Sequence, residues 1–263
     1  MVMLTVNPFA ELPGLVSPGL LQMYLVVMVC LVAGGTLVDI LHKKSGRYFF
    51  ANWQQSKKNQ KRTVGTAEMV SLVVKTALVE GLLSAEFCNA RRRIAHLLTM
   101  YGFLAHVSAT AVLVFCYTSS AAPAPAILPL IWYLSGLMIC VGGYWFWFFI
   151  RVDVAVEGHS PFRVVRADLF ILSLLASTTL GLIWAWVQSM DSPWANLLFG
   201  LYLMATTLLF GSVPWSKFSH MFYKPAAALQ KRITEADGSR NNLPAPADRP
   251  EIFGSSRELP RHY

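Results

Sequence analysis

Five stretches of this chain, about residues 20–41, 94–117, 127–150, 168–189 and 194–213, stay apolar for some twenty residues at a time. About twenty helical residues cross a ~30 Å hydrocarbon core, so runs of this length leave few folds open. In lipid every backbone N–H and C=O must be satisfied within the protein, and only helices or closed barrels achieve that. The runs lack the alternation of barrel strands. The fold class expected is an all-α integral membrane protein, a five-helix transmembrane bundle. Composition agrees: 55% of residues are hydrophobic and 14% are charged, where a soluble domain carries about 25% charged.

Charge predicts the orientation. Residues 1–41 hold no Lys or Arg, segment 42–93 holds eleven, 151–167 three and 214–263 eight, which accounts for all 22. In a five-span arrangement every one of them lies on one side. The positive-inside rule then places the N-terminus outside and the C-terminus in the cytoplasm, as a multi-pass protein of the bacterial inner membrane. The net charge of +8 is thus a topology signal. A nucleic-acid partner would need a folded basic face with reading elements, and none is evident. The first run lacks the basic start and small-residue cleavage site of a signal peptide and reads as a retained helix.

Four segments follow: an outside N-terminus with the first span (1–41), a cytoplasmic basic loop and amphipathic helix (42–93), a four-span region (94–220) and a cytoplasmic tail (221–263). The loop "HKKSGRYFFANWQQSKKNQKR" mixes cations with aromatics, as on anionic headgroups. Over 66–90, Val70, Val73, Val74, Ala77, Leu78 and Gly81 share one face, with Glu68, Ser71, Lys75 and Glu86 opposite. That pattern predicts an in-plane amphipathic helix. The tail beyond about 234, rich in Pro, Asn, Asp and Arg, has too little apolar content to fold alone. Cys30, Cys88, Cys116 and Cys140 have no metal or redox spacing and read as small buried apolar residues.

The chemistry-bearing feature is "RRRIAHLLTMYGFLAH", residues 91–106. His96 and His106 are ten residues apart, so ~15 Å apart along a helix and about 80° off the same face. A histidine inside a span is costly and by default marks a functional site. Two stacked imidazoles fit a pair of b-type haems one above the other; the alternative is a pair of interhelical hydrogen bonds. His220, in "GSVPWSKFSHMFYKP" at the cytoplasmic end of the fifth run, is at the depth of His96 and is the candidate second ligand.

The arginine-rich start, the His-to-His spacing and the later "PWSKFSH" resemble the nitrate-reductase gamma-subunit superfamily of membrane cytochromes b. "YGFLAHVSAT" and "VPWSKFSHMFYKP" further resemble the tricarballylate-utilisation membrane proteins. The resemblance covers about residues 91–235. It implies haem ligation by His96, His106 and His220, with Tyr202 at the fourth ligand position. Tyrosine ligates haem iron less often than histidine, so one haem between His96 and His220 is better supported than two. A continuous helix would put ~27 Å between Tyr202 and His220, which a break at Pro214 must shorten. The ferredoxin segments of some relatives are replaced here by a span and an amphipathic helix. The resemblance therefore implies a separate cytoplasmic flavin or iron–sulfur oxidoreductase as partner, with quinone as substrate. In length, in "KPAAALQKR" and in the ending "FGSSRELPRHY", the chain is similar to membrane proteins associated with adenylylsulfate reductase, implying electron flow from sulfite oxidation.

Weaker signals surround this set. Arg91, Arg92 and Arg93 beside His96 fit either haem propionates or helix-end anchoring, and Lys217 fits a propionate, a quinone carbonyl or the positive-inside bias. Arg163, Arg166 and Asp168 read as an interfacial ion pair, His159 as a solvated loop residue, "WFWFF" at 145–149 as an aromatic belt. Gly136, Gly142 and Gly143 read as close helix packing. Three classes remain: an electron-transfer subunit, a haem-free anchor for such a complex, and a transporter. The spans carry no inverted repeat or paired broken helices, which disfavours the last.

Overall fold

The computed structural model describes residues 2–10, 12, 15–42, 45–85, 87, 89–118, 123–151, 162–216 and 220–239. Among them are eight α-helices and no strand: α1 Pro18–His42, α2 Ser45–Lys58, α3 Thr66–Thr76, α4 Ala90–Cys116, α5 Ile127–Trp145, α6 Leu169–Gln188, α7 Ala195–Gly211 and α8 His220–Ala236. Two π-helical turns extend α3 (Ala77–Leu82) and α5 (Phe146–Ile150), and a 3₁₀ turn, Arg166–Asp168, leads into α6. Four helices are long and apolar enough to cross a membrane, and α7, at 17 residues, is a shorter apolar one. This is a helical membrane bundle, as the apolar runs require.

The chain divides into two compact units, Met1–Asp39 with Arg91–Ser219, and Ile40–Ala90 with the segment from His220. In the first unit, glycines set the helix spacing. A Cβ on Gly102 would lie 2.9 Å from the Ser135 carbonyl, and one on Gly142 would lie 2.7 Å from the Ala95 carbonyl. With no Cβ at these points α4 and α5 pack backbone to backbone, as small residues allow within membranes. Gly143 likewise admits Leu175 of α6. Tyr24 of α1 donates its hydroxyl to the Leu203 carbonyl of α7 at 3.0 Å. The N-terminal segment closes one end of the bundle: Phe9 and Leu12 are buried, Asn7 donates to the Tyr117 carbonyl at 2.7 Å, and Gln188 donates to the Pro8 carbonyl at 3.0 Å.

The second unit packs α3 and α2 against α8. Arg232 of α8 pairs with Glu80 at 2.7 Å, and the backbone N–H groups of Lys61 and Arg62 donate to the Asp237 carbonyl. Val70, Val73, Val74 and Leu78 are exposed along α3, the apolar face that periodicity drew.

Several expectations need correction. The amphipathic helix runs 66–76 with one π turn, not to 90, and Glu86 lies outside the described residues. α7 stops at Gly211 and a turn through Pro214 follows, at the break expected there, and His220 opens α8. The segment read as tail is helical to Ala236. Its Pro225 hid a run of helix formers, and Ile233 and Thr234 gain burial only from tertiary contact. Cys30 and Cys116 are free thiols on exposed helix faces, not buried ones. Lipid is as apolar as the bundle interior, so a small apolar residue has no reason to face inward. Cys88, His159, Lys217 and the ending after Ser239 lie outside the described residues.

Candidate functional site

The two histidines of α4 have different surroundings. His106 is buried, 9% exposed. Its Nδ1 lies 3.0 Å from the Trp132 carbonyl. A carbonyl only accepts, so Nδ1 carries the proton and donates. Nε2 is left as the lone pair, the tautomer that metal-ligating histidines also show. The ring stacks on Trp132 with centroids 4.8 Å apart. Gly136, one helical turn from Trp132, makes room for it: a Cβ there would sit 3.4 Å from the imidazole and 3.1 Å from Leu182. Thr110 donates to the His106 carbonyl at 2.8 Å and accepts the Trp132 indole N–H at 2.9 Å. Nδ1, the Trp132 carbonyl, Thr110 and the Trp132 indole are thereby linked in one set of hydrogen bonds between α4 and α5.

Tyr202 on α7 is closed in the same way. Its ring stacks on Trp184 at 5.6 Å and 8°, and Gly181 gives it space, an added Cβ meeting the ring at 3.0 Å. Below it Ser177 and Thr206 share a 2.7 Å hydrogen bond. Phe9 joins the two tryptophans, 5.7 Å from Trp132 and 5.4 Å from Trp184. A macrocycle spanning His106 to Tyr202 would have to take the place of Trp132, Phe9 or Trp184. Trp132 and Trp184 are fully buried, and displacing a core tryptophan costs about 3–5 kcal/mol. The residues present do not fit a haem in this second position.

His96 stands apart from this seam. It is half-buried near the start of α4, following Arg91 and Arg92, which are exposed, and Arg93, which is half-buried. Histidine is a common haem ligand and arginine a common partner of carboxylates, so the residue types at this helix start suit a haem and its propionates. His220 opens α8, and its side chain lies outside the described residues. Among the described residues no group of three or more His, Cys, Asp or Glu is placed to hold a metal ion.

The ion pair at Asp168 includes Arg151, which the sequence reading did not name. Asp168 accepts from Arg151 Nε at 2.8 Å and again from its NH2 nitrogen, and Arg151 lies over the Trp147 ring at 4.2 Å. Arg163 offers its carbonyl to the same guanidinium. Sequence reasoning also passed over Asp39, 1% exposed on α1. A carboxylate in a spanning helix is by default a functional group, and a lone acidic letter in the first apolar run was the available signal. One turn earlier, Gly35 packs against Val213 and Pro214.

No family model matches the chain and no solved structure matches it. It is similar to citrate utilization protein B of Escherichia coli, at 27% identity over 159 residues, which is 59% of this chain and 41% of that protein. The chain thus spans about two fifths of the relative's length. Citrate is a tricarboxylate, as tricarballylate is, so the likeness falls on the tricarballylate-utilisation side of the sequence resemblance.

Proposed function

We propose that the chain is the membrane electron-transfer subunit of an oxidoreductase complex of the tricarballylate-utilisation kind. It would link a separate cytoplasmic flavin or iron–sulfur protein to the quinone pool of the bacterial inner membrane. What supports this reading is the similarity to citrate utilization protein B of Escherichia coli, together with His96 near the start of a spanning helix that opens on Arg91, Arg92 and Arg93. His96 and His220 would hold one b-type haem, with Arg93 and Lys217 as neighbours for its propionates. Such a haem, when bound, supplies a one-electron carrier whose potential its axial imidazoles set. The chain's own residues hold the imidazole of His96 on a spanning helix whose first turn carries Arg91, Arg92 and Arg93. Trp132, Phe9 and Trp184 fill the other end of the bundle with packed protein.

The narrower assignment of adenylylsulfate reductase as partner, and of sulfite oxidation as electron source, rests on the likeness in length, in "KPAAALQKR" and in the ending. The similarity to a citrate-utilisation protein favours the tricarballylate kind instead. A pyridine haemochrome assay on the purified chain tests the reading. One haem per chain is expected, lost or five-coordinate in His96→Ala and in His220→Ala. A wild-type protein without haem leaves only an anchor for the complex.

A further inference from the structure

Helix α3 of the second unit is apolar on two sides, and the protein covers one of them. Met69, Leu72, Thr76 and Val79 recur at helical spacing and are half-buried or buried, on a helix that packs against α8. Val70, Val73, Val74 and Leu78 form a second strip, on the opposite side at 3.6 residues per turn. Each of these four is more than two-fifths exposed. A Cβ added at Gly81, on the same side, would meet nothing within 4 Å. The two charges of α3, Glu68 and Lys75, stand off the strip. A contiguous exposed aliphatic patch marks contact with a membrane or with another protein.

Charge and composition choose between the two. Segment 42–93 carries eleven Lys and Arg against three Glu. Of those three, Glu68 is held by Arg62 at 2.9 Å and Glu80 by Arg232 at 2.7 Å. Arg47, Lys58, Lys61, Lys75 and Lys231 are exposed. Protein interfaces anchor on Trp, Tyr and Arg, whereas the strip is purely aliphatic. The chain joins this unit to spanning helices at His42, the end of α1, and at Ala90, the start of α4, which tethers it to a bilayer. An aliphatic helix face in a basic surface is what an anionic leaflet attracts.

We propose that the outer face of α3 binds an anionic phospholipid leaflet. Val70, Val73, Val74 and Leu78 enter the boundary between acyl chains and headgroups, and Lys75 with the basic surface of the unit meets the phosphates. Periodicity alone could not say whether lipid or protein covers this strip; α8 on the far side of α3 leaves it to lipid. The proposal does not depend on haem or on the electron-transfer reading.

The test is spin-label accessibility in the full chain, reconstituted into phosphatidylcholine vesicles with and without phosphatidylglycerol. Cys30, Cys88, Cys116 and Cys140 are first replaced by Ser. A nitroxide is then attached at Val70→Cys, Val74→Cys or Leu78→Cys, with Ser71→Cys as the polar-side control. Oxygen concentrates among acyl chains, and a nickel chelate stays in water. Oxygen collisions should dominate at 70, 74 and 78 and chelate collisions at 71. The oxygen-to-chelate ratio at 74 should fall several-fold without phosphatidylglycerol, since each Lys or Arg near an anionic surface is worth about a factor of five. If the cysteine-free chain loses helicity by circular dichroism, quenching of Val74→Trp by brominated phosphatidylglycerol, in excess of the wild type, carries the test. Chelate access at 74 equal to that at 71, or no excess quenching, overturns the proposal. Collisions scarce with both reagents mean that a docked subunit or a second copy covers the strip, and overturn it too. An equal ratio in both lipids overturns the choice of an anionic leaflet.

Discussion

Replacing His106 separates a structural imidazole from a haem ligand, and the geometry sets the size of each effect. In His106→Phe the ring still stacks on Trp132 and still fits against Gly136. What is lost is the Nδ1–H bond to the Trp132 carbonyl. A neutral hydrogen bond contributes about 0.5–1.5 kcal/mol in water, and interhelical ones in bilayers average ~0.6. The carbonyl is not orphaned, because Ser135 Oγ donates to it at 3.0 Å. The cost of His106→Phe is therefore expected near the low end, about 0.5 kcal/mol. His106→Ala also removes the ring, forfeiting about 0.5–1.5 kcal/mol of stacking and leaving a cavity, for a total of about 3 kcal/mol or more. Unfolding in mixed micelles titrated with sodium dodecyl sulfate and followed by circular dichroism measures both, and haem per chain is counted in parallel. His106→Phe should keep the haem complement of the wild type. If it loses haem while His96→Ala retains it, the packing argument against a haem at His106 fails.

Gly142→Val should destabilise the bundle by about 2–3 kcal/mol, because its Cβ would meet the Ala95 carbonyl and Thr99 Oγ1 at 2.7 Å. Gly200→Ala, with nothing within 4 Å of its Cβ position, should be neutral or slightly stabilising in the same unfolding assay. Asp168→Asn strips the partner from a guanidinium whose side chain is only 9% exposed. Breaking such a pair costs about 3–5 kcal/mol, and the double variant Arg151→Met with Asp168→Leu should recover most of that loss. Equal stability in the single and double variants would show that the pair is not the cause.

The resemblance put His96, His106 and His220 at ligand positions and, with Tyr202 at the fourth, already favoured a haem at His96; the surroundings of His106 add the packing reason. Ten letters of spacing place both imidazoles on one helix. They do not say that α5 brings Trp132 and its carbonyl to one of them, or that a phenylalanine from the N-terminus wedges between two tryptophans. Those contacts join residues 9, 132 and 184, and no local periodicity couples positions so far apart. Arg151 as a partner of Asp168 was hidden for the same reason. Which face of α3 stays uncovered depends on α2, α3 and α8 meeting, and α8 itself was unread because its burial comes from those partners rather than from its own composition.

What the amino-acid sequence determined alone is the class: spanning helices, their order and nearly their ends. Lipid imposes that constraint residue by residue, since a run of about twenty apolar side chains must be helical wherever it packs. The tertiary structure decided which polar side chains face each other. In a bundle whose outer and inner faces are equally apolar, hydrophobicity cannot say which face turns inward. Glycine-made contacts and hydrogen bonds do, and these exist only once the helices are side by side.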